Sequence, residues 1–173
     1  MEQTAKLAEG FPDVDRDIRI NLQNVLVPGT LNADQVWGTA LACAEAARNV
    51  ALQTAIEADA RAAGVADGVI ADAKAAAVLM GMNNVFYRFK HVIGKDDYEK
   101  KPARLRMQRL SQVTSNKVDF ELFCLAVSAI NNCQSCMAAH EATVLKNGLT
   151  EDQVYDSIRI AATIHAAAIA AEL

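Results

Sequence analysis

Proline and glycine are scarce in this chain, three and eight among 173 residues. With 52% hydrophobic and 22% charged residues, the composition is far from the polar, highly charged signature of disorder, and order should run nearly end to end. Strand signals are missing too. No window alternates β-branched or aromatic residues with polar ones between turn dipeptides, and a period of 3.6 prevails nearly throughout. An excess of positive charge is also absent. The formal net charge is −4, which leaves no overall basic field for a phosphate backbone and argues against nucleic acid as a partner. No Gly-rich phosphate loop or flavin fingerprint is visible, so no bound cofactor is expected and electrons must come from another protein or a dithiol. The opening MEQTAKLAEG lacks an apolar core of signal-peptide length, and the longest apolar stretch, near the C-terminus, is broken by Arg159, His165 and Glu172. A soluble cytoplasmic protein without a membrane span is the expectation.

What the chain does have is helix-forming sequence, enough for one all-α domain over residues 1–173. The run from Asn32 to Ala63 is rich in Ala, Leu, Gln, Glu and Arg, with Asn32 placed to cap it and Gly64 to end it. In KNGLTEDQV, Gly148 suits the left-handed position that closes one helix, Thr150 and Gln153 form a capping box for the next, and Leu149 and Val154 fit a hydrophobic staple. So short a turn predicts two antiparallel helices. The many alanines imply close helix approach. A gap-free offset of 84 places Leu41 and Ala42 on Leu125 and Ala126, Gly64 on Gly148 and Asp72 on Asp156. It describes a degenerate helical-hairpin repeat with halves at about 32–86 and 116–170. Alanine-rich helices also align by chance, and the duplication stands only if the two hairpins superpose.

Between those halves, Tyr87 to Leu110 concentrates Arg88, Lys90, Lys95, Lys100, Lys101, Arg104, Arg106 and Arg109 against Asp96, Asp97 and Glu99. It reads as a solvated connection with Pro102 starting a short helix, or as a docking surface for an acidic partner. Trp37 and the Phe86, Tyr87, Phe89 cluster fit a core or subunit interface better than a cofactor cage. His91 and His165 read as packed or capped histidines without chemistry.

The four cysteines divide into two kinds. Cys43 in LACAE and Cys124 in LFCLA sit among apolar helix formers and read as small buried hydrophobes. Cys133 and Cys136 lie in NNCQSCMAAH, where a redox couple, half of a zinc site and an inert pair are the alternatives. VDFELFCLAVSAI reads as one apolar helix, Asn131 and Asn132 as its break and the cap of the next, and CQSCMAAHEATVLK as that next helix. At about 100° per residue, both cysteines and His140 share one face. Backbone N–H groups at a helix start lower a thiol's pKa and favour the reactive thiolate; His140 lies one turn beyond Cys136 and can take that thiol's proton. The helix start favours Cys133 and the histidine favours Cys136, so spacing alone does not assign the roles. Glu121 is an acid in an otherwise apolar helix, which requires exposure, pairing or catalysis. If the helices fold back at the Asn131–Asn132 turn, it lies beside His140. Asp119 reads as an N-terminal capping or dipole residue. A structural zinc site needs four ligands, and the fourth would have to come from Glu121, His165 or His91.

Glu121, Cys133, Cys136 and His140 form E-x(11)-C-x-x-C-x-x-x-H, which resembles the active-site pattern of the alkyl hydroperoxidase D family within the carboxymuconolactone decarboxylase-like superfamily. The likeness extends to MNNVFYRF and RLRMQRL. It implies an all-helical subunit, a homotrimer, that reduces hydroperoxides through its cysteine pair. Electrons would come from dihydrolipoamide on the acyltransferase of a 2-oxoacid dehydrogenase complex and pass to a partner peroxiredoxin. By the same resemblance Cys136 is the peroxidatic thiol, Cys133 resolves it to a redox-active disulfide, and His140 and Glu121 form the proton relay. Some relatives carry a histidine immediately before the second cysteine; this chain has Ser135 there. The readings of a different class are a carboxymuconolactone decarboxylase-like lyase, which leaves the paired thiols unexplained, and a non-catalytic zinc-stabilised interaction module.

Overall fold

The computed structural model describes all 173 residues, and they form helices without a strand. In chain order these are α1 (Glu2–Glu9), α2 (Arg16–Val25), α3 (Ala33–Ala47), α4 (Val50–Ala62), α5 (Asp67–Ile93), the single turn α6 (Asp96–Glu99), α7 (Lys117–Ile130), α8 (Gln134–Lys146) and α9 (Glu151–Ala170). Short 3-10 turns at Asp13–Asp15 and Gln108–Ser111 complete the set.

Local chemistry sets the helix starts. Asn32 accepts from the Gln35 N–H while the Gln35 side chain accepts from the Asn32 N–H, a capping box that satisfies two donors at once. The expected box at Thr150 and Gln153 is present in the same reciprocal form. Asn116 caps α7 by accepting from Val118 and Asp119. Gly148 closes the α8 end at φ +100°, as expected of a left-handed cap.

Three sequence expectations need correction. The run from Asn32 to Ala63 is two helices, because Arg48 turns left-handed at φ 61° and Asn49 starts α4 by accepting from the Leu52 N–H. The helices on either side of Gly148 do not pair as an antiparallel hairpin. Helix α8 packs on α7 and α5, and α9 on α2, α3 and α7; α8 buries only Cys136 and Val144 and offers α9 no apolar stripe. Pro102 starts no helix, and residues 102–107 run as irregular chain to the turn at Gln108.

The core is built on α3 and α7, with α5 and α9 each packing against both. Helix α3 presents Ala40, Leu41, Ala42, Cys43 and Ala44 fully buried, and α7 answers with Phe120, Leu122, Phe123, Cys124 and Leu125. Each large side chain so removed from water contributes about 1.5–3 kcal/mol. The alanines admit close approach, and Gly38 shows how close: a Cβ there would sit 2.1 Å from the Phe123 ring. Trp37 is buried in this core, as its sequence context predicts. By length and composition α5 could cross a bilayer, but 56% of its most apolar window is buried inside the bundle, the situation of a core helix.

Helices α7, α8 and α9 begin 84 residues after α3, α4 and α5 respectively. Arg48 and Asn132, the residues that break each first helix, both have positive φ. The match is one of boundaries and caps, which is less than the superposition a duplication requires. Ties nevertheless cross between the units. The Thr114 hydroxyl donates to Asp72 of α5 at 2.8 Å, while the Thr30 hydroxyl donates to Asp156 of α9. At the centre the Gln35 amide donates to Asp119 at 2.8 Å. Asp119 is thus more than the capping or dipole residue its position suggests. Burial raises its carboxyl pKa, the Gln35 hydrogen bond counters, and the Asp34 charge adds to the rise.

Candidate active site

The connection from α7 to α8 is a short, braced turn. The N–H of Asn131 donates to Val127 O, Asn132 takes φ 53°, and the N–H of Cys133 donates back to Ser128 O at 3.1 Å. Helix α5 holds this turn in place. Buried Asn84 donates to the Ser128 hydroxyl at 2.9 Å and accepts from the Asn131 amide at 3.0 Å; Arg88 donates to Asn131 O at 2.6 Å. The turn therefore cannot shift without breaking contacts that reach across to another helix.

The cap of α8 is Cys133 itself, and not Asn131 or Asn132. Its φ of −99° and ψ of 91° place it outside the helix, and its carbonyl accepts the N–H of Met137. Cys136 is then the third residue of α8. In a regular helix the Cβ atoms of residues i and i+3 are about 5–6 Å apart, too far for a relaxed disulfide. An extended first partner removes that obstacle. Cys133 and Cys136 are joined as a disulfide with Cα atoms 5.3 Å apart. Cys133 is fully buried and Cys136 is 7% exposed, so of the two, only Cys136 reaches the surface of a pocket.

Glu121 and His140 meet as the fold-back of α7 onto α8 suggested. Glu121 Oε2 lies 2.6 Å from His140 Nδ1, and each side chain is only 14% exposed. A carboxylate can only accept, so Nδ1 carries the proton and Nε2 is left as the basic nitrogen. Cys124 lies close enough to register the Glu121 charge. Its thiol is pushed up first by burial and then by that carboxylate, and Cys43 is pushed up by burial alone. Both are free and buried, as their sequence context predicts, and neither has the environment of a reactive thiolate.

The pocket beside Cys136 has a volume of about 250 Å³. Its walls are Met80, Asn83 and Tyr87 from α5, Met107 and Leu110 from the segment before α7, and Ser135, Cys136, Ala139 and His140 from α8. Six of the nine lining residues are hydrophobic, the character of a small-ligand site with a few polar groups to orient its occupant. The Ser135 hydroxyl is 3.8 Å from the Cys133 sulfur.

Sequence reasoning does not reach the far wall. Met80, Asn83 and Tyr87 are spaced i, i+3, i+7 on one face of α5, a pattern that reads as ordinary core, and Tyr87 in particular reads as core or interface. Of the expectation that His91 and His165 are packed or capped, the packed alternative does not hold, since both are exposed, and neither lines the pocket. Phe86 is half-buried and Phe89 is 48% exposed.

An all-helical bundle that presents a cysteine pair at a helix start, with an imidazole–carboxylate pair beside it, defines a class of thiol-dependent proteins. Residues 96–173 match the model of the carboxymuconolactone decarboxylase family. Over its length the chain is 56% identical to the alkyl hydroperoxide reductase AhpD of Anaeromyxobacter sp. (strain K), covering 96% of this chain and 89% of that one. It is 48% identical to the AhpD of Rhodospirillum centenum over 91% of this chain and 84% of the relative. It is 46% identical to that of Brucella suis over 96% and 94%. The chain belongs to the AhpD family, within the carboxymuconolactone decarboxylase superfamily.

Proposed function

We propose that this protein is an alkyl hydroperoxide reductase that also serves as a thiol–disulfide adaptor. The observation that carries the reading is the Cys133–Cys136 disulfide, with Cys136 facing a pocket that His140 also lines and Glu121 bonded to that histidine. In the reduced protein His140, oriented by Glu121, takes the Cys136 proton. The thiolate attacks the terminal oxygen of a hydroperoxide, the O–O bond breaks, and the alkoxide leaves as alcohol after recovering that proton. Cys136 is then a sulfenic acid. The Cys133 thiol attacks its sulfur, expels water and regenerates the disulfide seen here. Two electrons and two protons from dihydrolipoamide reopen it by thiol–disulfide exchange.

The names of the relatives support peroxide reduction. The roles given to the four residues, the lipoylated acyltransferase as donor and the peroxiredoxin as acceptor rest on the family resemblance together with this geometry. So do a homotrimeric assembly and a cytoplasmic location.

The deciding experiment supplies dihydrolipoamide, glutathione and thioredoxin separately as reductants and follows hydroperoxide loss. Sustained turnover is expected with dihydrolipoamide and should vanish in Cys133→Ser and Cys136→Ser. Turnover that persists in either variant rejects the reading. The matched family keeps one alternative in view, a decarboxylase-type lyase, whose activity would survive alkylation of both cysteines.

A further inference from the structure

Two neighbouring asparagines on α5 differ in a way the fold does not require. Asn84, 1% exposed, is bonded to Ser128 and Asn131 and braces the turn before Cys133. Asn83 is 5% exposed, and its Oδ1 is buried with no hydrogen-bond partner. An unmet buried acceptor costs about 1–3 kcal/mol, so a polar side chain kept in that state needs a reason. The place of Asn83 supplies one. It lines the pocket that contains Cys136 and His140, flanked one turn to either side by Met80 and Tyr87. Eighty-four residues later, at the corresponding place on α9, stands Ala167, buried in the core.

We propose that Asn83 is the residue that hydrogen-bonds the hydroperoxide group and orients it toward Cys136. The proposal rests on the peroxidase reading and deepens it. A hydroperoxide carries one O–H, on the terminal oxygen that the thiolate attacks. Neither atom of the Asn83 amide has a hydrogen-bond partner, so the amide can turn about χ2 and carry the buried Oδ1 round to the pocket. Donated to it there, that O–H holds the terminal oxygen at the sulfur side while the alkyl group lies against Met80, Met107 and Leu110. When the O–O bond breaks, the terminal oxygen passes to sulfur with its hydrogen, and the bond to Asn83 persists into the sulfenic acid. The leaving oxygen takes its proton from His140. The amide neither gains nor loses a proton; its effect is orientation.

The test separates the two half-reactions. Asn83→Leu keeps the branched shape and the number of side-chain heavy atoms and removes the acceptor; Asn83→Ala, which cannot overfill the site, is the second variant. In each, oxidation of the reduced protein by cumene hydroperoxide is measured by stopped flow, reduction of the disulfide by dihydrolipoamide is measured separately, and urea denaturation reports the fold. The oxidation rate constant should fall about tenfold or more, the worth of one good hydrogen bond, while disulfide reduction changes less than threefold. Equal loss in both half-reactions, or no loss in oxidation, overturns the proposal. In the unaltered protein the side-chain amide NMR signals of Asn83 should shift on adding cumyl alcohol, whose hydroxyl mimics the donor. No shift at saturation overturns it as well, whatever the variants do. Wild-type protein that cumene hydroperoxide fails to oxidise rejects the peroxidase reading itself, an outcome distinct from a reactive enzyme indifferent to Asn83.

Discussion

Glu121 Oε2 and His140 Nδ1 are 2.6 Å apart although the two residues stand nineteen positions apart in sequence. The turn at Asn131 and Asn132 makes that contact, and the contact fixes which imidazole nitrogen remains basic. Glu121→Gln keeps the shape and removes the charge that supports an imidazolium. It should lower kcat/KM for hydroperoxide by roughly tenfold to a hundredfold. His140→Gln should lower it at least as far, and the double variant should be no slower than the slower single, because the two residues act as one unit. Additive losses in steady-state kinetics would show that they do not.

The four thiols should report their environments directly. In the oxidised, folded protein a thiol reagent should find almost nothing, since Cys43 and Cys124 are buried with raised pKa values and the other two are bonded. Denaturant without reductant should release Cys43 and Cys124. Dihydrolipoamide without denaturant should release Cys133 and Cys136 instead. Mass mapping of the label checks all three statements, and native-state label on Cys43 or Cys124 contradicts the packing of α3 and α7.

Two glycine substitutions on neighbouring helices should act with opposite sign. Gly38→Ala drives a methyl into the Phe123 ring and should cost about 1–3 kcal/mol by overpacking, or more if the α3–α7 contact cannot open. Gly81 is exposed on α5, and a methyl added to it would meet nothing within 4 Å. Gly81→Ala should stabilise by about 0.5–1 kcal/mol. Urea midpoints at constant slope measure both.

Acid should weaken the bundle through two buried carboxylates. For Asp72, burial raises the pKa, but hydrogen bonds from Ser115, Thr114 and Arg109 outweigh it and hold the group below its ordinary value; Asp59 behaves alike, through Thr4 and Gln3. A lowered folded-state pKa gives stability that is fully present above the unfolded value, about 4, and lost as pH falls through the folded value. Denaturation at a series of pH values should therefore show a falling limb below about pH 4 that is shallower in Asp72→Asn. That variant should also lose about 2 kcal/mol at neutral pH. An unchanged limb would mean that Asp72 does not contribute to it.

The helical class, the cap at Asn32, the capping box at Thr150 and the burial of Cys43, Cys124 and Trp37 were legible because each follows from residues close together in sequence. So was the meeting of Glu121 with His140, since one turn separates their helices. The break at Arg48 was not: helix propensity favours continuation there, and only Asn49 hinted at a new start. Nor was the pocket. Asn83, Tyr87, Met107 and Leu110 reach Cys136 from segments tens of residues away; they lie in the MNNVFYRF and RLRMQRL stretches that carry the family likeness, but nothing in their spacing assigns these side chains to the site. The connection around Pro102 misled for a related reason, since a proline suited to a first helical turn does not by itself supply the apolar face that keeps a helix in place.

The crossed ties from Thr114 to Asp72 and from Thr30 to Asp156 also bear on what happens when the backbone is cut. A protease that nicks the largely exposed stretch between Pro102 and Arg106 separates the chain into two pieces, each carrying an acid whose anchoring hydroxyl belongs to the other. Neither piece keeps its ends secured alone, so the two should stay associated through gel filtration and come apart only in denaturant. On removal of the denaturant, mixing them should restore the bundle, in the manner of fragment complementation.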